Sequence, residues 1–139
     1  VRVFVGEVQH GGGPGSCRNA AEVRQRVGTG GRDRIRGGVV FDGEPAYGAI
    51  DGAWLTGGDY VVLHRLAVAD GEKGRGVAAE FMRRTEALAR GRGVGSFRVD
   101  TNFDNRYMLR MLERLRFAYC GKIIYESGER LAFEKPFEA

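Results

Sequence analysis

The clearest chemistry in this chain lies where two glycines and two cations adjoin a helix start. Lys73-Gly74-Arg75-Gly76 ends a polar turn, downstream of an apolar run made by Val61, Val62, Leu63 and then Leu66, Ala67, Val68. It opens directly into a helix-patterned segment over 77–90. Glycine lets the main chain approach a ligand closely, and the first N–H groups of a helix have no intrahelical partner. Strand, glycine turn and helix N-terminus therefore make a backbone cradle for phosphate, to which Lys73 and Arg75 add positive charge. The spacing points to a pyrophosphate held by residues 73–78. Gly-x-Gly before a helix also occurs as a plain tight turn, so the surrounding elements must decide between the two.

Those elements come in a definite order. After the first helix stand Gly91-Arg92-Gly93-Val94-Gly95 and a strand, Ser96-Phe97-Arg98-Val99-Asp100-Thr101. A second amphipathic helix begins near Asp104-Asn105, a strand covers 117–125, and a short strand covers 130–135. In the first helix Val77, Phe81, Thr85 and Leu88 form one stripe, with Ala78, Met82 and Ala89 beside them; in the second, Met108, Met111, Leu112 and Leu115 do so. Each helix thus has one apolar side to lay on a sheet, and the methionines read as core filler. Upstream, 1–8 alternates like a strand, 19–27 reads as a short helix capped by Asn19, and 35–41 as another strand.

From about residue 42 to 137 the chain resembles the GNAT superfamily of acetyl-CoA-dependent N-acetyltransferases. The resemblance rests on His64-Arg65-Leu66-Ala67-Val68, Lys73-Gly74-Arg75-Gly76-Val77-Ala78, Arg98-Val99-Asp100-Thr101-Asn102, Asn105-x-x-Met108, Phe117-x-x-Cys120-Gly121 and Arg130-Leu131-Ala132-Phe133-Glu134-Lys135. It implies an α/β (α+β) fold: a mixed, mostly antiparallel sheet, splayed parallel strands at the acetyl-CoA site, and helices on both faces. It also implies one domain over 1–139, with 35–139 as the acetyl-CoA-binding core and 1–34 an atypical Gly/Arg-rich segment. The chain starts at Val1 rather than Met, so residues upstream are expected to be missing.

Acetyl transfer from a thioester to an amine needs an unprotonated acceptor nitrogen, a donor that polarises the thioester carbonyl, and protonation of the leaving thiolate. The resemblance assigns the pantetheine arm and the thioester oxygen to the main chain of Leu66, Ala67 and Val68, and the cradle to Lys73 through Ala78. Asn105 takes the place of an Asn that commonly contacts the cofactor, and it also reads as a helix N-cap. Period-2 alternation puts Val62, His64, Leu66 and Val68 on one face of the central strand. Of these His64 can take an amine proton, with a reference pKa of ~6.5. A histidine in a strand is also commonly structural. Trp54, placed on the strand before the central one, and Tyr60 are the candidates for the acceptor wall.

Three positions depart from the family pattern. Gly71 stands where an Arg or Gln usually opens the phosphate loop. Leu112 stands where many relatives carry a Tyr general acid, leaving Tyr107, Tyr119 and Cys120 as substitutes. Arg116 stands where a Gly normally precedes the Phe after the second helix, which implies a different or strained helix exit.

Composition is that of an ordinary globular protein: 139 residues, 42% hydrophobic and 29% charged. No apolar run approaches a membrane span and no basic-then-apolar leader opens the chain, so no membrane partner is expected. Cys17 and Cys120 have neither metal-ligand spacing nor a disulfide framework, so a cytoplasmic protein with two thiols and no metal is expected, and the resemblance implies a bacterial-like enzyme. The net charge of +4 comes from the first 40 residues, where seven arginines face Glu7, Glu22 and Asp33. From residue 41 onward the charges balance, which argues against a nucleic-acid footprint there. The expected partner is a small-molecule or peptide amine, and a homodimer is compatible with the reading. Two alternatives stay open: a GNAT-like acyl-CoA-binding domain with little catalytic activity, and a basic nucleic-acid-binding module built on the N-terminus.

Overall fold

The computed structural model describes residues 2–7, 20–26, 33–41, 43–68 and 76–138, with the backbone alone described at 2–7, 20–26, 33–36, 64, 65, 67 and 68. In chain order come β1 (Arg2–Glu7), β2 (Ala20–Arg26), β3 (Asp33–Val40), a 3-10 helix (Pro45–Ala49), β4 (Asp51–Gly52) and β5 (Val61–Val68). They are followed by α1 (Val77–Gly91), β6 (Ser96–Thr101), α2 (Arg106–Arg114), β7 (Ala118–Tyr125) and β8 (Gly128–Pro136). The strands form one sheet in the order β1-β2-β3-β5-β6-β8-β7-β4. Among these pairs only β5 and β6 run parallel.

Alternation along the central strands divides the apolar residues between two faces. Val61, Leu63, Phe97 and Val99 are buried with the stripes of both helices, from Val77 and Phe81 of α1 to Met111 and Leu112 of α2. Phe97 meets Phe117 edge to face, with ring centroids 5.2 Å apart. The residues in opposite phase, Val62, Ile123 and Ala132, join Tyr47 in a second cluster with Trp54 and Tyr60 against it. Both helical stripes are buried as their spacing requires. Among the described residues both α-helices pack on one face. Segment 44–60, with its 3-10 turn and aromatic side chains, covers the other.

The short helix expected over 19–27 is also corrected. Residues 20–26 are β2, hydrogen-bonded to β1 on one side and β3 on the other, and residues 19 and 27 lie outside the described residues. Seven residues with one strong apolar side chain, Val23, fit period 2 as well as period 3.6, and pairing with two strands decides the outcome.

Both helices end in the same hydrogen-bonded motif. After α1, Val94 N–H donates to Ala89 O (3.0 Å) and Gly93 N–H to Arg90 O (3.1 Å). After α2, Phe117 N–H donates to Leu112 O (2.9 Å) and Arg116 N–H to Glu113 O (3.0 Å). This 6→1 and 5→2 pattern needs a left-handed residue at the turn. Gly93 supplies it with φ 74°, and Arg116 must do so with φ 67°. Arg116 is the only non-glycine residue with positive φ among those described.

Candidate active site

The centre of the sheet opens where its parallel pair parts. β5 and β6 are paired only at Val61–Phe97 and Val62–Arg98. Beyond Val62 and Arg98 the two strands run on without pairing, to Val68 and Thr101. The strand edges that face each other across this splay therefore carry backbone groups with no ladder partner there.

A bulge lies in the same stretch. Across β3, Gly38 pairs with His64 and Arg36 with Ala67, so Arg65 and Leu66 stand opposite Gly37 alone. An extra residue of this kind bends the strand and shifts the phase of its side chains. Gly37 allows the close approach, since a Cβ there would lie 2.8 Å from Leu63 Cδ1 and 3.1 Å from Phe81 Cε1. The expected single face of Val62, His64, Leu66 and Val68 is thereby corrected. Leu66 packs against the helix-side core with Leu63, while Val62 belongs to the opposite cluster. His64 is the last β5 residue before the bulge. Its side chain, and those of Ala67 and Val68, lie outside the described residues.

α1 starts just past the C-terminal end of β5. Its N-cap is Gly76, left-handed at φ 74°, and no side-chain hydrogen bond caps the helix. The first bond into the turn is Glu80 N–H to Gly76 O, 3.1 Å, so the N–H groups of Val77, Ala78 and Ala79 precede the helical ladder. Among the described residues nothing lies within 4 Å of where a Gly76 Cβ would stand, and its left-handed backbone is what calls for glycine here. Lys73, Gly74, Arg75 and the departure at Gly71 lie outside the described residues. Asn105 is exposed at the N-terminus of α2, where its Oδ1 accepts from Met108 N–H at 3.1 Å, which is the N-cap reading.

Trp54 and Tyr60 are half-buried against the cluster of Tyr47, Val62, Ile123 and Ala132. Trp54 is in the loop after β4 rather than on a strand, and its Nε1 donates to Tyr47 O (2.9 Å). The Arg98 guanidinium lies over both rings, 4.4 Å from the Trp54 centroid and 3.9 Å from that of Tyr60. The same guanidinium binds Glu134 Oε2 through Nε (3.0 Å) and Thr56 O through Nη2 (2.6 Å). Glu134 is fully buried and also accepts from Leu55 N–H, Thr56 Oγ1 and Ser96 Oγ, at 2.6, 2.6 and 2.7 Å. Burial alone would raise its pKa, but these donors outweigh that and hold the carboxyl below its ordinary value.

Two residues further along β6, on the same face, Asp100 Oδ1 accepts from the buried Tyr47 hydroxyl at 2.8 Å. Burial first, and then Asp100, raise the pKa values of both Tyr47 and Tyr125, so both stay protonated phenols. Sequence reading passed over Arg98, Glu134, Tyr47 and Asp100. The signal available was a pair of charges, Arg98 and Asp100, interleaved with Phe97 and Val99 in a strand preceded by glycines.

The substitutes for a general acid are placed unevenly. Tyr107 and Tyr119 are exposed at helix and strand surfaces, and Cys120 is buried, with its thiol pKa raised by that burial. Leu112 is fully buried in the helix-side core. Among the described residues no group of three or more His, Cys, Asp and Glu side chains could hold a metal ion, and no helix is long and apolar enough to cross a membrane.

The chain matches the Acetyltransferase (GNAT) family model over residues 26–117. It is similar to a GNAT-family acetyltransferase of Streptococcus agalactiae, at 32% identity and a TM-score of 0.69, covering 86% of this chain and 66% of that one. The IAA acetyltransferase of Bacillus cereus shares the fold at 13% identity and TM-score 0.64, covering 86% of this chain and 79% of that one. A nourseothricin acetyltransferase does so at 17% identity and TM-score 0.64, covering 86% and 66%. The chain thus spans about two thirds of the length of two of these three. No curated protein matches it by sequence. With the splayed parallel pair, the mixed sheet and the family model in agreement, the chain belongs to the GNAT acetyltransferase family.

Proposed function

We propose that this protein moves an acetyl group from acetyl-CoA to a primary amine. The observation that carries the reading is the splay beyond Val62 and Arg98, with the bulge at Arg65–Leu66 on one side and the uncapped start of α1 at its end. Acetyl-CoA fits this arrangement chemically: a diphosphate suits orphan N–H groups at a helix start, and an amide-rich arm suits unpaired strand edges. The cofactor supplies an activated acyl group as a thioester. Leu66, Ala67 and Val68 then offer main-chain donors and acceptors to its arm, and Lys73 through Ala78 hold its diphosphate. His64, beside the bulge, takes the acceptor's ammonium proton. Asn105, already engaged as an N-cap, contributes to the cofactor side through its remaining polar groups.

Leu112 favours a second reading, a CoA-binding domain with little turnover, because a buried leucine cannot protonate a thiolate. Both readings meet in one experiment. Purified protein is titrated with CoA by calorimetry and then assayed with acetyl-CoA and a panel of amines for free thiol release. Binding with amine-dependent thiol release is expected. Binding without release selects the second reading, and no binding removes both.

A further inference from the structure

The side of α2 turned away from the sheet carries a row of arginines. Arg106, Arg110 and Arg114 are exposed and fall within about 80° around the helix, each about 6 Å along the axis from the next. Arg116 follows them and is exposed too. Among the described residues none of these guanidiniums has an ion pair, a hydrogen bond or a ring contact, and Glu113, the one acid of α2, pairs with none of them. On α1, by contrast, Arg83 and Arg84 pair with Glu80, and Arg90 with Glu86. The balance of charge beyond residue 40 conceals the row, because Glu80, Glu86, Glu129 and Glu134 are engaged with cations elsewhere. Helix stability does not account for it either: a cation at the first position of α2 opposes the helix dipole, and the first turn has no acid. Two aromatic side chains stand at the same end, Phe103, 74% exposed in the turn before α2, and Tyr107, 42% exposed in its first turn. Neither joins a core cluster.

We propose that this face of α2 binds single-stranded nucleic acid, with Arg106, Arg110 and Arg114 along successive phosphates and Phe103 and Tyr107 against its bases. A row of unpaired cations tracks a phosphate chain, and exposed rings offer faces on which bases stack. An acidic polypeptide would match the charge but leave the rings without a partner. The surface is independent of the transfer chemistry, because Met108, Met111 and Leu112 turn the opposite side of α2 toward the sheet.

The test is fluorescence anisotropy of labelled oligothymidylate with the full chain. Between about 50 and 200 mM salt, wild-type affinity should fall at least roughly twentyfold, as three phosphate contacts require. Arg110→Gln combined with Arg114→Gln removes two of them and should reduce that fall about sevenfold. The substituted side chains are exposed and Gln suits a helix, so the variant keeps the fold. Its CoA affinity should equal that of wild type. Phe103→Ser should weaken oligonucleotide binding about tenfold at both salt concentrations without altering the fall between them. No binding by wild type overturns the proposal, as does a salt dependence unchanged in the double variant or an affinity unchanged in Phe103→Ser. Polyglutamate that displaces the labelled strand as well as unlabelled oligothymidylate does also overturns it, since the face would then suit acidic proteins. Oligonucleotide binding with the expected variant effects but without CoA binding would sustain this surface while removing the acetyltransferase reading.

Discussion

Arg98 and Glu134 form a buried ion pair at the apex of the splay, Nε to Oε2 at 3.0 Å, with side chains 6% and 0% exposed. Arg98 is also the last β6 residue paired with β5, so the pair ties the point of divergence to β8 and to the 54–56 loop. An ion pair removed from water is favourable only when its remaining donors and acceptors are satisfied, which the Thr56, Leu55 and Ser96 contacts accomplish. Removing one partner leaves the other charge buried. Glu134→Gln should therefore destabilise the fold by about 3–5 kcal/mol in urea unfolding.

The same carboxylate sets an acid limit. Its folded pKa lies below the unfolded value of ~4.3, so the native state favours the ionised form. That stabilisation is complete above the unfolded pKa and is lost as pH falls through the lowered folded value. Thermal unfolding followed downward from neutral pH should show a fall in midpoint beginning near the ordinary carboxylate range. The fall should be shallower in Glu134→Gln, and an identical acid slope in the variant would remove Glu134 from this role.

Arg116 performs at the end of α2 what Gly93 performs at the end of α1. A non-glycine residue in the left-handed region costs about 1–2 kcal/mol relative to glycine. Arg116→Gly should recover roughly 1 kcal/mol of this, the remainder being offset by the freer unfolded chain. Gly93→Arg should destabilise by a similar amount. Denaturant midpoints of the two variants, moving in opposite directions, are the check.

The departure at Arg116 was legible in the sequence because the helix exit is a local backbone problem. The helix stripes were legible for the same reason, since period and turn chemistry are written residue by residue, whereas the parallel pair was expected only from the family resemblance. What escaped depends on contacts distant in sequence. The bulge arises from register against β3, whose Gly37 has no local mark, and it shifted Leu66 away from Val62. Nothing near Trp54 and Tyr60 in sequence showed that Arg98, some 40 residues on, would lie over both rings. β2 was mistaken for a helix because a short, weakly apolar segment takes its conformation from neighbouring strands.

Gly76 provides the direct probe of the phosphate cradle. Among the described residues a side chain there meets no atom, so Gly76→Val disturbs none of their packing; it opposes φ 74° and places a branched group at the proposed diphosphate site. CoA affinity should fall at least about tenfold, with an unfolding midpoint lowered by the equivalent of about 1–2 kcal/mol. Lys73→Ala should weaken binding less, because it removes a single charge from a cradle that the proposal builds mainly from main chain. A folded Gly76→Val protein that binds CoA as wild type does would place the diphosphate elsewhere.

His64 sits at the junction of the paired and bulged parts of β5, one residue before the phase shift, where the splay has already opened. A base at this point needs to be neutral to accept a proton, so turnover should rise with pH through the histidine range, ~6.5. His64→Gln keeps a polar side chain of similar size. It should lower kcat while leaving CoA affinity within about twofold, and it should remove the ascending limb from the pH profile. Leu112→Tyr, the change toward the common family residue, is the companion variant. Leu112 is fully buried, so added volume should cost about 1–3 kcal/mol through overpacking. A rise in kcat despite that cost would mean that protonation of the thiolate limits the native enzyme. If His64→Gln instead retains both wild-type kcat and the same limb, the proton leaves through water, and His64 belongs to the strand rather than to the reaction.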